Sequence, residues 1–229
     1  MIQIQGMTKK YGSKVILEEW SYRFEKGKIY GLIGRNGAGK TTVMKCISGL
    51  LLSDAGTVCT EQGEVTKKDY LEHSILYVSD EPIYYNDLTV YEHLWMVCRL
   101  ENMDKTSAKK EIDALVEKLC MKEYLQYYPA ALSKGTLQRM MLIMNFLRKD
   151  ENILLDEPFN GLDPVQLQQT LGICSEQRKK RSMLISSHDI ESLGTICDEY
   201  LLFTPEGIKS YASDTDRETI TKMIGDSYA

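Results

Sequence analysis

Hydrophobic and polar residues alternate along two stretches near the N-terminus. Ile2 and Ile4 alternate with polar neighbours, and Trp20, Tyr22 and Phe24 repeat the pattern. A period of two turns every second side chain to the same face of an extended chain. The alternation therefore predicts two half-buried antiparallel strands.

Apolar runs without such alternation follow farther along the chain. Continuous runs of this length are typical of strands that are covered on both faces in a parallel sheet. They predict buried strands at residues 28–33, 74–79, 152–157 and 182–189. Two more runs, residues 200–203 and 208–211, flank a Pro-Glu-Gly turn and predict a hairpin.

The region between the second and third of these strands is predominantly helical in its pattern. Thr89 and Glu92 have the spacing of a capping box, and helical signals continue to about residue 149. Hydrophobic residues at helical spacing predict two stripes that face a core. The stripes are Ile112, Leu115, Leu119 and Cys120, and Leu137, Met141, Met144 and Leu147.

Polar segments predict the connections. Residues 53–57 have the composition of a turn, and residues 61–68 that of a loop. Thr215 and Glu218 are spaced as at the start of a short final helix.

Composition and charge narrow the class of protein. The 229 residues are 43% hydrophobic and 27% charged, as in ordinary soluble proteins. No apolar run approaches the roughly 18–20 residues that cross a bilayer, and the N-terminus lacks the features of a signal peptide. We therefore expect a cytoplasmic protein whose six cysteines, none in a C-x-x-C pair, stay reduced. The net charge of -5 argues against a nucleic-acid partner, and none is expected.

A glycine-rich segment after the first buried strand has the G-x-x-x-x-G-K-T pattern of a phosphate-binding loop. Its residues are Gly34, Arg35, Asn36, Gly37, Ala38, Gly39, Lys40, Thr41 and Thr42. Hydrophobic residues at helical spacing follow, which completes the strand–turn–helix context that the pattern requires. Loop N–H groups and the helix dipole would bind phosphate, Lys40 would reach the β- and γ-phosphates, and Thr41 would ligate Mg²⁺. An ordinary glycine-rich turn is the alternative, and the lysine and hydroxyl favour a nucleotide.

Charged and aromatic residues near other strands extend this hypothesis. Asp156 and Glu157 end one buried run, where an open α/β sheet binds ligands. His188 lies near the end of another and is a candidate sensor of the γ-phosphate, although a single histidine is more often structural. Tyr11, predicted in the loop between the first strands, could stack on a purine or be an ordinary surface tyrosine. The phosphate-binding loop downstream favours stacking.

Two further motifs complete a resemblance. Residues 132–139, Leu-Ser-Lys-Gly-Thr-Leu-Gln-Arg, match a signature that is usually L-S-G-G-Q, and residues 160–164, Asn-Gly-Leu-Asp-Pro, match a D-loop. With the phosphate-binding loop, the Asp-Glu strand and His188 in this order, the whole chain resembles the ATP-binding subunit of an ABC transporter. The resemblance implies one α/β cassette over residues 1–229. It would combine a RecA-like P-loop NTPase core, about 1–83 and 149–229, with an N-terminal antiparallel β-subdomain and an inserted helical subdomain, about 84–148.

The resemblance also implies roles for particular residues. Thr41 and Asp156 would hold Mg²⁺, Glu157 would be the general base, and His188 would contact the γ-phosphate of ATP. Two cassettes would close head to tail, as a homodimer or a heterodimer with another cassette. In that dimer Ser133, Lys134 and Gly135 of one cassette would bind the ATP held by the other cassette. Asp163 would align the interface between the two cassettes. Tyr11 matches the aromatic residue that stacks on adenine.

The sequence departs from the family pattern at two places. Lys134 and Thr136 replace a glycine and the glutamine of the signature, while Ser133 and Gly135 remain. Asp80 stands where the family has a glutamine that links Mg²⁺ and water to the membrane partner. We expect Asp80 to take part in metal binding, with altered efficiency and coupling of hydrolysis. The alternative is that Glu81, the next residue, takes this role.

The implied function is ATP binding and hydrolysis that drives transport through a separate integral-membrane permease, at the inner face of the cell membrane. The Ser-Lys-Gly form of the signature resembles export-type bacterial cassettes and favours export. One alternative is an ABC ATPase of DNA repair or chromosome maintenance, but residues 41–131 are too few for the long coiled coil of those proteins. Another is a regulatory cassette with weak hydrolysis, which Asp80 favours and which Glu157 and His188 oppose.

Overall fold

The computed structural model describes residues 1–223 except 67, 69, 189, 216–218 and 221. Contacts divide the chain into two compact units. The first, the sheet unit, comprises Met1–Val78, Asp150–Glu157 and the described part of Arg178–Ala229. The second, the helical unit, comprises Ser79–Lys149 and Pro158–Gln177. Pro158–Gln177 belongs to the helical unit, although the resemblance assigned these residues to the core. The division of the cassette into subdomains stays a prediction.

An antiparallel sheet forms the first layer of the sheet unit, in the order β2-β1-β4-β5. Its strands are β1 (Ile2–Tyr11), β2 (Lys14–Phe24), β4 (Ala55–Thr60) and β5 (Gly63–Glu64). Ile2 pairs with Phe24 and Ile4 with Tyr22, and both isoleucines are buried. The two antiparallel strands predicted from the alternation are confirmed.

A second sheet of six strands has the order β10-β9-β3-β8-β7-β6. Its strands are β3 (Ile29–Ile33), β6 (Ile75–Val78), β7 (Asn152–Leu155), β8 (Ser182–Ser187), β9 (Glu199–Thr204) and β10 (Gly207–Ala212). All neighbouring pairs are parallel except β9 and β10, which form the predicted hairpin. Every residue of β3, β7 and β8 is buried, so three of the continuous apolar runs correctly predicted buried strands. The fourth prediction is wrong in its burial, because β6 lies at the edge of the sheet and its Leu76 and Tyr77 are only half-buried.

The prediction of a turn at residues 53–57 is wrong from Ala55 onward. Ala55 and Thr57 belong to β4, where they pair with Thr8 and Gln5 of β1. Gly56 has a φ of 82°, and a Cβ there would lie 2.4 Å from the Gly6 carbonyl carbon. Pairing with a distant strand and this close backbone approach outweigh the local turn composition. The predicted loop at 61–68 likewise contains the short strand β5, because Cys59 pairs with Glu64.

Helices account for the remaining regular structure. In the sheet unit they are α1 (Lys40–Ile47) and α6 (Ile190–Leu193). In the helical unit they are α2 (Val90–Leu100), α3 (Lys105–Lys118), α4 (Lys134–Phe146) and α5 (Pro164–Gln177). Short 3₁₀ turns lie at Tyr70–His73, Lys122–Tyr124 and Pro129–Ala131. In the part of the chain that the structure describes, no helix is both long and apolar enough to cross a membrane. The predicted helix start at Thr215 and Glu218 lies largely outside the described residues.

The helical unit confirms the capping box and corrects both stripes. Thr89 and Glu92 cap α2 reciprocally. Ile112, Leu115 and Leu119 are buried as predicted, but Cys120 is exposed because α3 has already ended at Lys118. The second stripe is wrong for Leu137, Met141 and Met144, which are only half-buried. The buried surface of α4 instead includes Met140, Leu142, Ile143 and Phe146, together with Gln138 and Arg139. Buried polar residues on this helix weaken the hydrophobic pattern.

Candidate nucleotide-binding site

The phosphate-binding loop lies between the carboxyl end of β3 and the start of α1, as predicted. Gly39 has a φ of 118°, and a Cβ there would lie 2.5 Å from Ile16 Cγ2. A Cβ on Gly34 would lie 2.9 Å from Phe203 Cβ. Side chains at these two positions would push the backbone away from its place. Arg35, Asn36 and Gly37 are exposed, so the middle of the loop is open to a ligand.

Lys40 folds back over the loop that precedes it. Its side chain is only 6% exposed, and Nζ donates to the Gly34 carbonyl oxygen at 2.8 Å. The same nitrogen lies 3.1 Å from Glu157 Oε1. The ammonium group is therefore held between the loop and the carboxylate that follows β7.

Asp156 accepts hydrogen bonds from three hydroxyl groups. The side chain is buried, with 1% exposure. Its Oδ2 accepts hydrogen bonds from Thr41 Oγ1 at 2.6 Å and from the Tyr77 hydroxyl at 3.0 Å. Its Oδ1 accepts a hydrogen bond from Ser186 Oγ at 2.5 Å. Mg²⁺ binds oxygen ligands, commonly one or two from the protein together with water and phosphate. The adjacent Thr41 hydroxyl and Asp156 carboxylate fit that donor set.

Glu157 has a left-handed backbone conformation, with a φ of 46°. Such a conformation is uncommon outside glycine and marks a constrained position. The Ser186 hydroxyl accepts from the Glu157 N–H at 2.8 Å, and Glu157 Oε2 lies 3.0 Å from His188 Nδ1. The structure thus brings Glu157 and His188 together with Lys40, although the three are far apart in sequence.

Tyr11 is the last residue of β1 and pairs with Lys14 of β2. The prediction that it lies in the loop between the strands is therefore wrong. The antiparallel pairing carries both strands up to the tight turn at Gly12. The tyrosine is 52% exposed, and Lys9 Nζ lies over its ring at 5.4 Å from the centroid. The exposed ring is consistent with the proposed stacking role, which stays a prediction.

The signature and the D-loop lie side by side within the helical unit. Ser133 is the N-cap of α4, and its hydroxyl accepts from the Thr136 N–H at 3.2 Å. A Cβ on Gly135 would lie 2.6 Å from the Gly161 carbonyl oxygen, and the Lys134 side chain also borders Gly161. Asp163 Oδ1 accepts from the N–H groups of residues 165 and 166 and caps α5, which is a structural role.

Asp80 is exposed and accepts from the Ser79 hydroxyl at 3.2 Å, and its part in metal binding stays a prediction.

Cys46 is buried on α1, and burial raises the pKa of its thiol to about 11. A protonated thiol is a poor nucleophile.

Sequence reasoning missed Ser186 and Tyr77. Ser186 is fully buried and contacts both acids, through Asp156 Oδ1 and the Glu157 N–H. Tyr77 reaches Asp156 from β6. For Ser186 the available signal was the pair of consecutive serines at the carboxyl end of β8, since buried hydroxyl groups require partners.

Comparison with known proteins agrees with this geometry. Residues 17–160 match the model of the ABC transporter family. The chain belongs to this family. It is 30% identical over 209 residues to the ABC-type transporter ATP-binding protein EcsA of Bacillus subtilis, a match that covers 88% of this chain and 83% of EcsA. It is also 30% identical over 208 residues to the lantibiotic transport ATP-binding protein SrtF of Streptococcus pyogenes, covering 90% and 88% of the two chains.

Solved structures confirm the fold. An ATP-binding subunit of an ABC transporter superposes with a TM-score of 0.84 at 24% identity, covering 100% of this chain and 95% of that one. A nucleotide-free ATP-binding cassette from an ABC transporter gives 0.83 at 18% identity, covering 100% and 98%. The chain therefore has the α/β P-loop NTPase fold that the resemblance implied. The family match and the relatives show that it is an ATP-binding subunit of an ABC transporter. Members of this family are ATPases in general and bind ATP, typically with Mg²⁺.

Proposed function

We propose that the chain hydrolyses ATP as one half of a cassette dimer and that hydrolysis drives transport through a separate permease. The observation that supports hydrolysis is the cluster of Lys40, Glu157 and His188 beside the Thr41–Asp156 pair. Binding alone would need only the loop and its lysine. A carboxylate placed next to a histidine supplies the proton acceptor that hydrolysis also needs.

Each residue of the cluster has a distinct task. Loop N–H groups and Lys40 bind the phosphates, and Thr41 and Asp156 would hold Mg²⁺, which neutralises phosphate charge. Glu157 accepts a proton from the attacking water, and His188 orients that carboxylate and contacts the γ-phosphate. Lys40 would exchange its contact with Glu157 for the phosphates, because their negative charge competes for the same ammonium group. Phosphoryl transfer depends mainly on such positioning and charge stabilisation.

Dimerisation completes the site in this proposal. Ser133, Lys134 and Gly135 would bind the ATP held by the phosphate-binding loop of the other cassette, homologous or identical. Ser133 and Lys134 are exposed, and Asp163 anchors the adjoining segment by capping α5. The neighbouring signature and D-loop segments can therefore present one surface to a partner.

The permease is proposed to dock on exposed aromatic and aliphatic residues of the helical unit. Ile83 and Tyr85 are 74% and 60% exposed, and Tyr127 and Tyr128 are 51% and 52% exposed. Both groups adjoin the start of α2, since the Val90 N–H donates to the Tyr127 carbonyl oxygen and the Tyr85 N–H donates to a ring nitrogen of a histidine on α2. An exposed surface of this kind suits an amphipathic helix.

Loss of permease recruitment in Tyr85→Ala, measured by co-purification from membranes, is the expected result. The same recovery of permease with Tyr85→Ala as with the unaltered protein would contradict the proposed docking surface. Position at the inner face of the cell membrane follows from this docking. Export is favoured by the Ser-Lys-Gly form of the signature.

A steady-state ATPase assay on the purified protein tests the proposed hydrolysis. We expect Mg²⁺-dependent phosphate release that Lys40→Ala abolishes. The alternative function is a regulatory cassette that binds ATP and barely hydrolyses it, which the replacement of the family glutamine by Asp80 favours. Tight ATP binding without turnover, with or without the permease, would support that alternative and overturn our proposal.

A further inference from the structure

Lys9 is a buried lysine next to the residue that we expect to contact adenine. It lies on β1 two positions before Tyr11 and is only 8% exposed. Its Nζ donates to the Leu52 carbonyl oxygen at 2.8 Å and to Asp54 Oδ1 at 3.3 Å. A buried ammonium group is costly unless it is paired, so these two acceptors fix the position of the charge.

The acceptors of Lys9 are themselves anchored. The Asp54 N–H donates to the Thr8 carbonyl oxygen at 2.8 Å, and Asp54 Oδ2 accepts from the Lys10 N–H at 2.6 Å. Leu52 and Asp54 lie in the segment between α1, which begins in the phosphate-binding loop, and β4. The ammonium group of Lys9 thus joins the strand that ends at Tyr11 to the chain that leaves α1.

The same ammonium group lies over the Tyr11 ring, 5.4 Å from its centroid. Cation–π attraction at this distance holds a ring in one orientation. The tyrosine is 52% exposed, so the rest of the ring stays open to solvent. An exposed tyrosine at a strand end would otherwise lose rotamer freedom on binding a ligand, and that loss would weaken the complex.

We propose that Lys9 is a positioning residue that holds Tyr11 ready to stack on the purine base of ATP. The proposal rests on the proposed function, because it requires ATP as the ligand, and goes beyond it by adding a residue that does not itself contact the nucleotide. Lys9 should therefore strengthen binding of a purine nucleotide but not of inorganic tripolyphosphate, which engages only the phosphate-binding loop.

A double-mutant cycle with two ligands tests this role. Affinities for ATP and for inorganic tripolyphosphate would be measured by calorimetry in EDTA, which prevents turnover, for the unaltered protein, Lys9→Met, Tyr11→Ala and the double variant. Lys9→Met keeps the length and apolar character of the stem but removes the charge. Lys10→Met is the matched control, because Lys10 Nζ pairs with the exposed Glu18 carboxylate, at 2.8 Å. Thermal unfolding of each variant shows whether it is folded.

We expect Lys9→Met to weaken ATP binding about three- to tenfold, within the usual range for cation–π and rotamer effects, and to leave tripolyphosphate binding unchanged. In the Tyr11→Ala background the same substitution should have no further effect on ATP, since the ring it positions is gone. Lys10→Met should bind both ligands as the unaltered protein does.

A merely structural role for Lys9 gives a different result. Equal weakening of ATP and tripolyphosphate, or the same loss of ATP affinity with and without Tyr11, would overturn the inference while leaving the proposed function intact. If the unaltered protein binds tripolyphosphate but gains no affinity from the purine, Tyr11 does not stack and the inference fails. If neither ligand binds, the proposed function fails with it.

Discussion

Lys40 Nζ lies 3.1 Å from Glu157 Oε1, and both side chains are largely buried, at 6% and 12% exposure. The pair joins the residue expected to bind phosphate to the residue expected to accept the proton of water. Breaking a buried pair by removing one partner leaves an uncompensated charge, at a cost of about 3–5 kcal/mol. Because a phosphate would compete with Glu157 for the ammonium group, nucleotide binding and the release of the general base are linked in this arrangement.

Glu157→Gln should preserve ATP binding and stop turnover. The amide keeps the shape of the carboxylate but cannot accept a proton, so we expect phosphate release to fall at least about 100-fold. ATP bound between two chains would then persist and hold a dimer together. Phosphate release and size-exclusion chromatography with ATP measure the two effects.

Glu206→Gln is the matched control for this substitution. Glu206 is an exposed carboxylate that pairs with Lys209 at 2.6 Å in the turn between β9 and β10. Its loss should leave both measurements unchanged. A Glu157→Gln protein that stays monomeric at high ATP concentration, or that still turns over, would contradict the assignment of Glu157 as general base.

Ser186→Ala should raise the Mg²⁺ concentration needed for half-maximal ATPase activity, on the order of tenfold. The Ser186 hydroxyl donates to Asp156 and accepts from the Glu157 N–H, so it orients both acids. Ser182→Ala is a matched control on the same strand, where the buried hydroxyl accepts from the Gly27 N–H and donates to the Glu25 carbonyl oxygen. Each variant leaves one N–H without its partner and should lose about 1–3 kcal/mol of unfolding free energy.

Only Ser186→Ala should change the response to Mg²⁺. Titrating Mg²⁺ against ATPase rate in both variants, alongside urea unfolding, separates stability from metal binding. An equal shift in both variants would mean that Ser186 acts through stability alone.

The strands that carry the candidate site were predictable, and Ser186 was not, for related reasons. β3, β7 and β8 are covered on both faces, so each is a continuous apolar run that stands out in the sequence. The phosphate-binding loop is recognised from the G-x-x-x-x-G-K-T spacing of its residues. The part played by Ser186 depends on β8 lying beside β7, and such long-range pairing leaves no local pattern.

The errors elsewhere have the same origin. Ala55 joins a strand because of β1, against its local turn composition. Arg139 is buried on α4, where its guanidinium donates to the Leu119 carbonyl oxygen and to the Thr136 hydroxyl, so a hydrophobic stripe misplaces the buried face. α5 begins at Pro164, directly after the D-loop residue Asp163 that caps it.

The capping box of α2 should make stability depend on pH. The Thr89 N–H donates to Glu92 at 2.7 Å, and this bond, followed by that from the Thr89 hydroxyl, holds the pKa of the Glu92 carboxyl below its usual value of 4.5. Stabilisation from a lowered pKa is complete above the unfolded-state value and is lost as the pH falls through the folded-state value.

Glu92→Gln should therefore be less stable than the unaltered protein at pH 7, and the difference should shrink below about pH 4.5. Urea unfolding across this range measures it. Thr89→Ser, which keeps both donors, should retain the pH dependence of the unaltered protein. A difference between Glu92→Gln and the unaltered protein that stays constant from neutral to acid pH would show that the charge of Glu92 contributes nothing to capping.

Gly135→Ala should lower the stability of the helical unit, whereas Gly172→Ala should raise it. A Cβ on Gly135 would lie 2.6 Å from the Gly161 carbonyl oxygen and 3.0 Å from Gln166 Oε1, so the backbone has to move and about 1–3 kcal/mol of unfolding free energy should be lost. Gly172 lies in α5 with nothing within 4 Å of its Cβ position, and alanine there should add roughly 0.5–1 kcal/mol.

The same pair of variants tests whether the contact between signature and D-loop matters for dimerisation. Introduced into the Glu157→Gln protein, Gly135→Ala should abolish the ATP-dependent dimer, because it displaces the backbone that presents Ser133, while Gly172→Ala should keep it. Urea unfolding and size-exclusion chromatography with ATP measure stability and assembly on the same samples. If Gly135→Ala is as stable as its parent, the close approach to Gly161 is wrong. A stable dimer despite lost unfolding free energy would show that the signature binds its partner without needing this contact.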